Sequence, residues 1–327
     1  MTVNACRICG NSQPDEILEP KEMMFGTRKS YKYMKCPVCG VLQIEEPVRD
    51  LELLYPKTYV SFSSMRNNMK QRIKKILYKN RVAKLLRSSP ADKPATSGED
   101  KPAESLKCII NKNMSILDVG CGSGHLIEAL YSLGYRQVEG IDPYISKEIN
   151  NGWRIRKKFI TDLSPGEKFD LIMFHHSFEH MENPQAVFNK VFELLPDDGA
   201  CMIRIPVCDS FAYNNYKTNW VQLDAPRHIF LHTNKSMEML CKNASLQVVQ
   251  IKNDSTAFQF IGSEQYKMGV SLNSDRSHFR PFYKKIFRKE LFSKKAVRQY
   301  QARAEELNLK GEGDQRIYII KKAQTIS

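Results

Sequence analysis

From residue 106 onward, apolar positions fall into short runs that alternate between two periods. Residues 115–119 form a compact apolar run and predict a buried strand. Residues 126–131, Leu-Ile-Glu-Ala-Leu-Tyr, carry the spacing of a helix. The same alternation continues along the chain. Strands are predicted at 138–142, 159–162, 169–174 and 200–206, with a helix from Pro184 to about Leu195 that ends at Pro196-Asp197-Asp198-Gly199. Apolar runs at 246–251 and 316–320 predict two last strands. Between them, a helical insertion is expected at about 256–312. Seven strands alternating with helices predict an α/β fold with a doubly wound sheet.

The junction of the first strand and helix carries the clearest chemistry. Asp118 is followed by Gly120, Cys121, Gly122, Ser123 and Gly124, so three glycines stand at alternate positions. Glycine permits a sharp turn and a close approach of backbone N–H groups to a ligand. The second strand ends in Asp142, and a carboxylate there can accept from both hydroxyls of a ribose. A dinucleotide fingerprint would require glycine at position 125, which is His125. Asp118, two residues before the first glycine, would also oppose a pyrophosphate but suits a cationic ligand. S-adenosylmethionine has a sulfonium, an amine and a ribose, and no phosphate.

At these residues the chain resembles the class I S-adenosylmethionine-dependent methyltransferases, whose first motif runs acid-x-Gly-x-Gly-x-Gly. The stretch from Phe178-Glu179-His180 to Pro196-Asp197-Asp198-Gly199 adds to the resemblance. So does Trp220-Val221-Gln222-Leu223-Asp224-Ala225-Pro226-Arg227-His228. This last run looks like a subgroup of sugar, polysaccharide and secondary-metabolite pathways, some members of which carry an N-terminal four-cysteine zinc module. The resemblance covers roughly 1–55 and 106–255. It implies a seven-stranded Rossmann-like sheet and a cofactor site at Asp118, Gly120, Cys121, Gly122, Gly124, Asp142, Asp162 and His175, with Asp162 facing the adenine amine.

The N-terminal part has its own signal. Cys6-Arg7-Ile8-Cys9-Gly10 and Cys36-Pro37-Val38-Cys39-Gly40 are two C-x2-C-G knuckles. Two such pairs supply four thiolates at tetrahedral zinc spacing. An iron centre of the rubredoxin type uses the same spacing. Residues 1–55 are read as a metal-stapled module, too small to fold well alone, with a hairpin strand at 32–35.

The chain has 327 residues, 42% of them hydrophobic, and a formal net charge of +14. No apolar run approaches a membrane span, and the first ten residues hold no signal-peptide core. A cytoplasmic protein is expected. The charge is uneven. Residues 65–87 carry +9 and residues 280–298 carry +7, which leaves −2 for the rest. Residues 65–87 also show helical apolar spacing, so a basic amphipathic helix is expected, followed by a Pro- and Ser-rich linker at 88–105. Together 56–105 form a connecting segment before a catalytic domain at 106–327. Such a helix either packs on the enzyme with its charges in solvent, or meets anionic lipid headgroups, placing the protein at the inner membrane surface, or another polyanion.

Methyl transfer to an oxygen or carbon acceptor needs a proton removed, and histidine is the natural base near neutral pH. His175, His176 and His180 follow the fourth strand, and His228 lies on the loop after the fifth. His180 or His228 is the expected base, with His176 nearby and Arg227 orienting an anionic group of the acceptor. The expected acceptor is a small molecule or lipid-linked glycan: a sugar, nucleotide-sugar or glycan. The alternative is an RNA methyltransferase whose zinc module and basic helix grip phosphates. Nucleic acid is the less favoured partner. No Asn-Pro-Pro-Tyr-type run follows the fourth strand, and apart from Tyr78 no aromatic interleaves the cations of 65–87.

Overall fold

The structure is a computed structural model that describes residues 5–48, 79–80, 82, 110–279 and 290–324. The linker, nearly all of the first basic segment and the first half of the second lie outside the described residues, as do the expectations that rest on them.

The N-terminal module contributes β1 (Glu16–Leu18), β2 (Tyr33–Lys35) and β3 (Leu42–Ile44), paired antiparallel in that order. The large sheet begins with β4 (Ile116–Val119), buried at all four positions, as strands covered on both faces are. Helix α1 (His125–Ser132) follows and turns Leu126, Ile127, Ala129 and Leu130 onto the sheet. Next come β5 (Val138–Ile141), β6 (Ile149–Asn150), β7 (Arg154–Arg156) and β8 (Leu171–His175). Helix α2 (Pro184–Leu194) starts on proline and is capped by the Asn183 side chain, which accepts from the Ala186 N–H. Strand β9 (Ala200–Pro206) is buried throughout. Helix α3 (Phe211–Tyr216), β10 (Phe230–Leu231), α4 (Asn234–Asn243) and β11 (Leu246–Asn253) lead to the insertion. Its described part holds α5 (Phe258–Lys267) and α6 (Lys294–Leu309), and β12 (Gln315–Lys322) closes the fold.

The sheet runs β11-β12-β9-β8-β4-β5-β7-β6. The five central strands are parallel, while β12 is antiparallel between β9 and β11. The chain moves from β4 toward one edge and then returns through β8 toward the other. The strand order therefore reverses beside β4, which opens a crevice at the carboxyl ends of β4, β5 and β8.

Two sequence expectations are corrected here. Residues 159–162 do not form the third strand; Ile160–Asp162 is a 3-10 turn. The strand is β7, Arg-Ile-Arg, whose polarity hid it. Both arginines are neutralised by Glu139 on the adjacent β5, so only Ile155 supplies apolar burial. Among the described residues the sheet also has eight strands rather than seven, because β6 adds a two-residue antiparallel edge.

The cysteine module is not a separate body. Strand β10, from the loop after β9, pairs antiparallel with β3 and becomes the fourth strand of the module's sheet. Ile8, Leu18, Tyr33 and Leu42 belong to the same apolar core as Val119, Phe174 and Phe178 of the large sheet.

Candidate active site

The glycine turn after β4 works as its residue types require. Gly120, Gly122 and Gly124 all have positive φ, at 76°, 53° and 72°. The N–H groups of Gly120 and Cys121 donate to the Ile141 carbonyl at 2.8 and 3.2 Å, which locks the turn to the end of β5. A Cβ on Gly120 would overlap Ser177, and one on Gly124 would overlap Ile155. The glycines are therefore demanded by space as well as by dihedral angle.

Asp142 sits just past β5 and is buried. Its carboxylate accepts from Gly122 N–H at 3.0 Å and from Tyr144 N–H at 2.9 Å. Burial raises its pKa, although the two N–H groups oppose this. Asp118, buried in β4, is pushed up to about 7 by burial and by the charge of Asp142. Both carboxylates are costly to ionise where they stand, so a positive charge brought beside them is favoured.

A cavity of about 400 Å³ lies in the crevice. Asp142, Gly120 and Tyr144 line one side, residues 158–161 a second, and His176, Ser177, His180 and Met181 a third. Phe159 and Tyr144 meet edge to face at its mouth, with ring centroids 6.4 Å apart. A carboxylate next to an aromatic wall suits a nucleoside.

Past β8, the residues form a hydrogen-bonded cluster. Glu179 is fully buried. Burial would raise its pKa, but a hydrogen bond from His176 (3.3 Å) and the positive potential of His180 and His228 hold it down at about 2. Its Oε2 has no hydrogen-bond partner among the described residues. His180 Nδ1–H donates to the Arg227 carbonyl at 2.8 Å, and His228 Nδ1–H donates to the Gln222 carbonyl at 2.7 Å. Carbonyls only accept, so each neutral ring keeps its basic lone pair on Nε2. The two rings meet at 4.8 Å. His228 Nε2 lies 3.8 Å from Glu179 and 4.0 Å from Asp224, behind His180. Burial and the neighbouring His180 lower its pKa to about 4.

The predicted site residues thus separate. Gly120, Asp142, His176 and His180 line the cavity. Gly122 and Gly124 shape the turn behind it, and the Cys121 sulfur packs at Gly140. Asp118 and His228 stand in a second layer. Three placements differ from expectation. Asp162 accepts from Phe159 N–H and closes its own turn; the wall is built by 158–161 instead. His175 ends β8 outside the cavity lining. It lies opposite Arg204 on β9, with both ring nitrogens buried and no partner among the described residues, and burial lowers its pKa to about 3. The strand ends at His175, and His176, with φ of 52°, leaves it in a left-handed turn that brings the second histidine alone to the crevice. Arg227 is completely buried between Asp224 (2.5 Å) and Glu22 (3.0 Å) and cannot meet an acceptor. Ser177, Glu179 and Tyr144 were not singled out from the sequence. The Glu-His pair at 179–180, beside a strand end, was the available signal for Glu179.

At the other end of the module, the four knuckle sulfurs converge. Cys6 and Cys39 lie 3.5 Å apart, Cys9 and Cys36 3.4 Å, and all four fall within 4.8 Å of one another. Those separations are far above the roughly 2.05 Å of a disulfide. A tetrahedral zinc with Zn–S of about 2.3 Å needs sulfurs about 3.8 Å apart, so the set fits that ion. Gly10 N–H donates to Cys6 O and Gly40 N–H to Cys36 O, both at 2.8 Å, giving two matching turns.

A family model described as a methyltransferase domain matches residues 82–251, over half of the chain. The chain belongs to that methyltransferase family. It is 26% identical over 113 residues to a ubiquinone biosynthesis O-methyltransferase of Rhodopseudomonas palustris (strain TIE-1), covering 32% of this chain and 44% of that protein. It is also 26% identical over 125 residues to a tRNA U34 carboxymethyltransferase of Alteromonas mediterranea, covering 34% and 37%. The chain thus spans less than half the length of these curated relatives. Among solved structures, a possible histamine N-methyltransferase of Thermotoga maritima overlays 77% of this chain and 95% of its own with a TM-score of 0.41 and 14% identity. Coclaurine N-methyltransferase overlays 78% and 88% with a TM-score of 0.43 and 16% identity. Among the described residues, no helix is long and apolar enough to cross a membrane.

Proposed function

We propose that the protein transfers a methyl group from S-adenosylmethionine to an oxygen or carbon of a small hydroxylated acceptor, a sugar, nucleotide-sugar or lipid-linked glycan. The observation that carries this reading is the cavity with Asp142 at one side and His180 at another. Asp142 would hold the ribose hydroxyls and the Tyr144–Phe159 wall the adenine. The cofactor would supply the activated methyl group. His180 would take the acceptor's proton on Nε2, with Glu179 stabilising the imidazolium that forms. The four knuckle cysteines would hold one Zn2+ in a structural role, since a closed four-thiolate shell leaves no open position for chemistry. The acceptor class rests on the sequence resemblance; one partial relative is named for ubiquinone biosynthesis and another for tRNA.

Calorimetry with S-adenosylmethionine and with NAD tests the cofactor. Binding of the first but not the second is expected, with Asp142→Ala weakening it. Binding of NAD alone overturns the reading. Mass spectrometry of reactions with nucleotide-sugar, glycan and RNA pools should then find a product heavier by one CH2 in a sugar pool. A gain only in RNA replaces the acceptor class.

A further inference from the structure

We infer that the cysteine module acts as the positioning element of the site, fixing the orientation and tautomer of His180 through the loop 224–228. The inference rests on the reading of His180 as base, but the arrangement that carries it is independent of the acceptor. His180 Nδ1–H donates to the Arg227 carbonyl. The peptide on either side of that carbonyl is fastened to the module. On one side, the Arg227 side chain is clamped by Glu22 at 3.0 Å, with both groups buried. Glu22 is itself set by the N–H groups of Phe25 (2.8 Å) and Thr27 (2.9 Å) in the module's own turn, and the Phe25 ring lies under the guanidinium at 5.2 Å. On the other side, the hydroxyl of the fully buried Tyr33 on β2 donates to the His228 carbonyl at 2.7 Å. One residue further, the Ile229 carbonyl accepts from Ile44 N–H at 3.0 Å, where β3 takes up β10. Ile229 N–H in turn donates to the Glu179 carbonyl at 2.9 Å, so the clamp reaches the segment that carries His180 itself.

The consequence is chemical. A neutral imidazole free in water prefers its proton on Nε2, which would hide the lone pair from the cavity. A fixed carbonyl opposite Nδ1 reverses that preference and leaves Nε2 basic. Tyr33, Glu22 and Arg227 are therefore positioning residues. The module's role in the site is to hold a carbonyl still.

The test reads the tautomer directly. Protein with isotope-labelled histidine is observed by NMR at pH 8, above the ordinary imidazole pKa. Wild type should show His180 as the Nδ1–H tautomer. In Tyr33→Phe and Glu22→Gln, the Nδ1–H form should lose its majority, while S-adenosylmethionine affinity measured by calorimetry and the His175 signal on β8 stay as in wild type. An unchanged His180 tautomer in both folded variants overturns the inference. So does a matching shift of His175, or failure of both variants to fold, since the module would then serve only general stability. Failure of methyl transfer leaves this readout untouched, so the two readings fall separately.

Discussion

Replacing Gly120 by alanine probes the turn on which the cofactor site depends. Gly120 has φ of 76°, and placing an L-residue in the left-handed region costs about 1–2 kcal/mol. The added methyl would also overlap the Ser177 Cβ and come within 3.1 Å of its hydroxyl and 3.8 Å of its Cα. Ser177 has little room to retreat. It is buried, and its hydroxyl donates to the Val119 carbonyl at 2.6 Å. Overpacking of this kind costs about 1–3 kcal/mol. The sum is about 2–5 kcal/mol, a large part of the roughly 5–15 kcal/mol that holds a domain folded. The expected loss in melting temperature is on the order of 10 °C. Affinity for S-adenosylmethionine should fall at least about tenfold, because the displaced Ser177 lines the cavity. Scanning calorimetry and titration calorimetry measure the two effects. Gly166→Ala is the control: no atom lies within 4 Å of its added methyl, and the change should stay within about 0.5 kcal/mol. Adding Ser177→Gly to Gly120→Ala should recover the steric part and leave the dihedral part. If Gly120→Ala melts and binds like Gly166→Ala, the argument from space and φ is wrong.

Two further outcomes are expected. Freshly purified protein should contain about one zinc per chain, and Cys36→Ser should lose it and melt at lower temperature; metal-free wild type would refute the four-thiolate assignment. The third concerns acid. Burial lowers His175, His228 and His232 to about 3, 4 and 3, below the roughly 6.5 of an unfolded histidine. The unfolded chain binds more protons in that window, so their contribution is present above pH 6.5 and lost as pH falls toward 4. Asp118, raised to about 7, and Asp314, raised to about 6, oppose this in part, because their burial penalties are relieved as pH drops below those values. Melting temperature should therefore fall between pH 6.5 and 4, and more steeply in Asp118→Asn; a shallower profile in that variant would contradict the assignment.

What the sequence determined is what a few neighbouring residues can encode. The apolar run ending in Asp118, the three glycines and the helical spacing after them specify strand, turn and helix within one short segment, and all three form as read. The cysteine pairs likewise place their sulfurs together, because each C-x2-C-G knuckle builds its own turn. Asp142 was legible as an acid at a strand end, and β8, α2 and β9 as apolar periods.

What only the tertiary structure decided depends on partners distant in the chain. Strand β7 was hidden because its arginines are neutralised across the sheet by Glu139. Arg227 read as an anion binder because it stands beside His228 on the loop after the fifth strand, where an acceptor was expected. Its partner Glu22 lies in the cysteine module, and burial turned the charge inward. Tyr33 and His228 are 195 residues apart, and no local pattern announces their hydrogen bond. Periodicity and turn chemistry are properties of consecutive residues, whereas the pairing of a buried charge or the direction of an imidazole is set by whatever the fold brings against it.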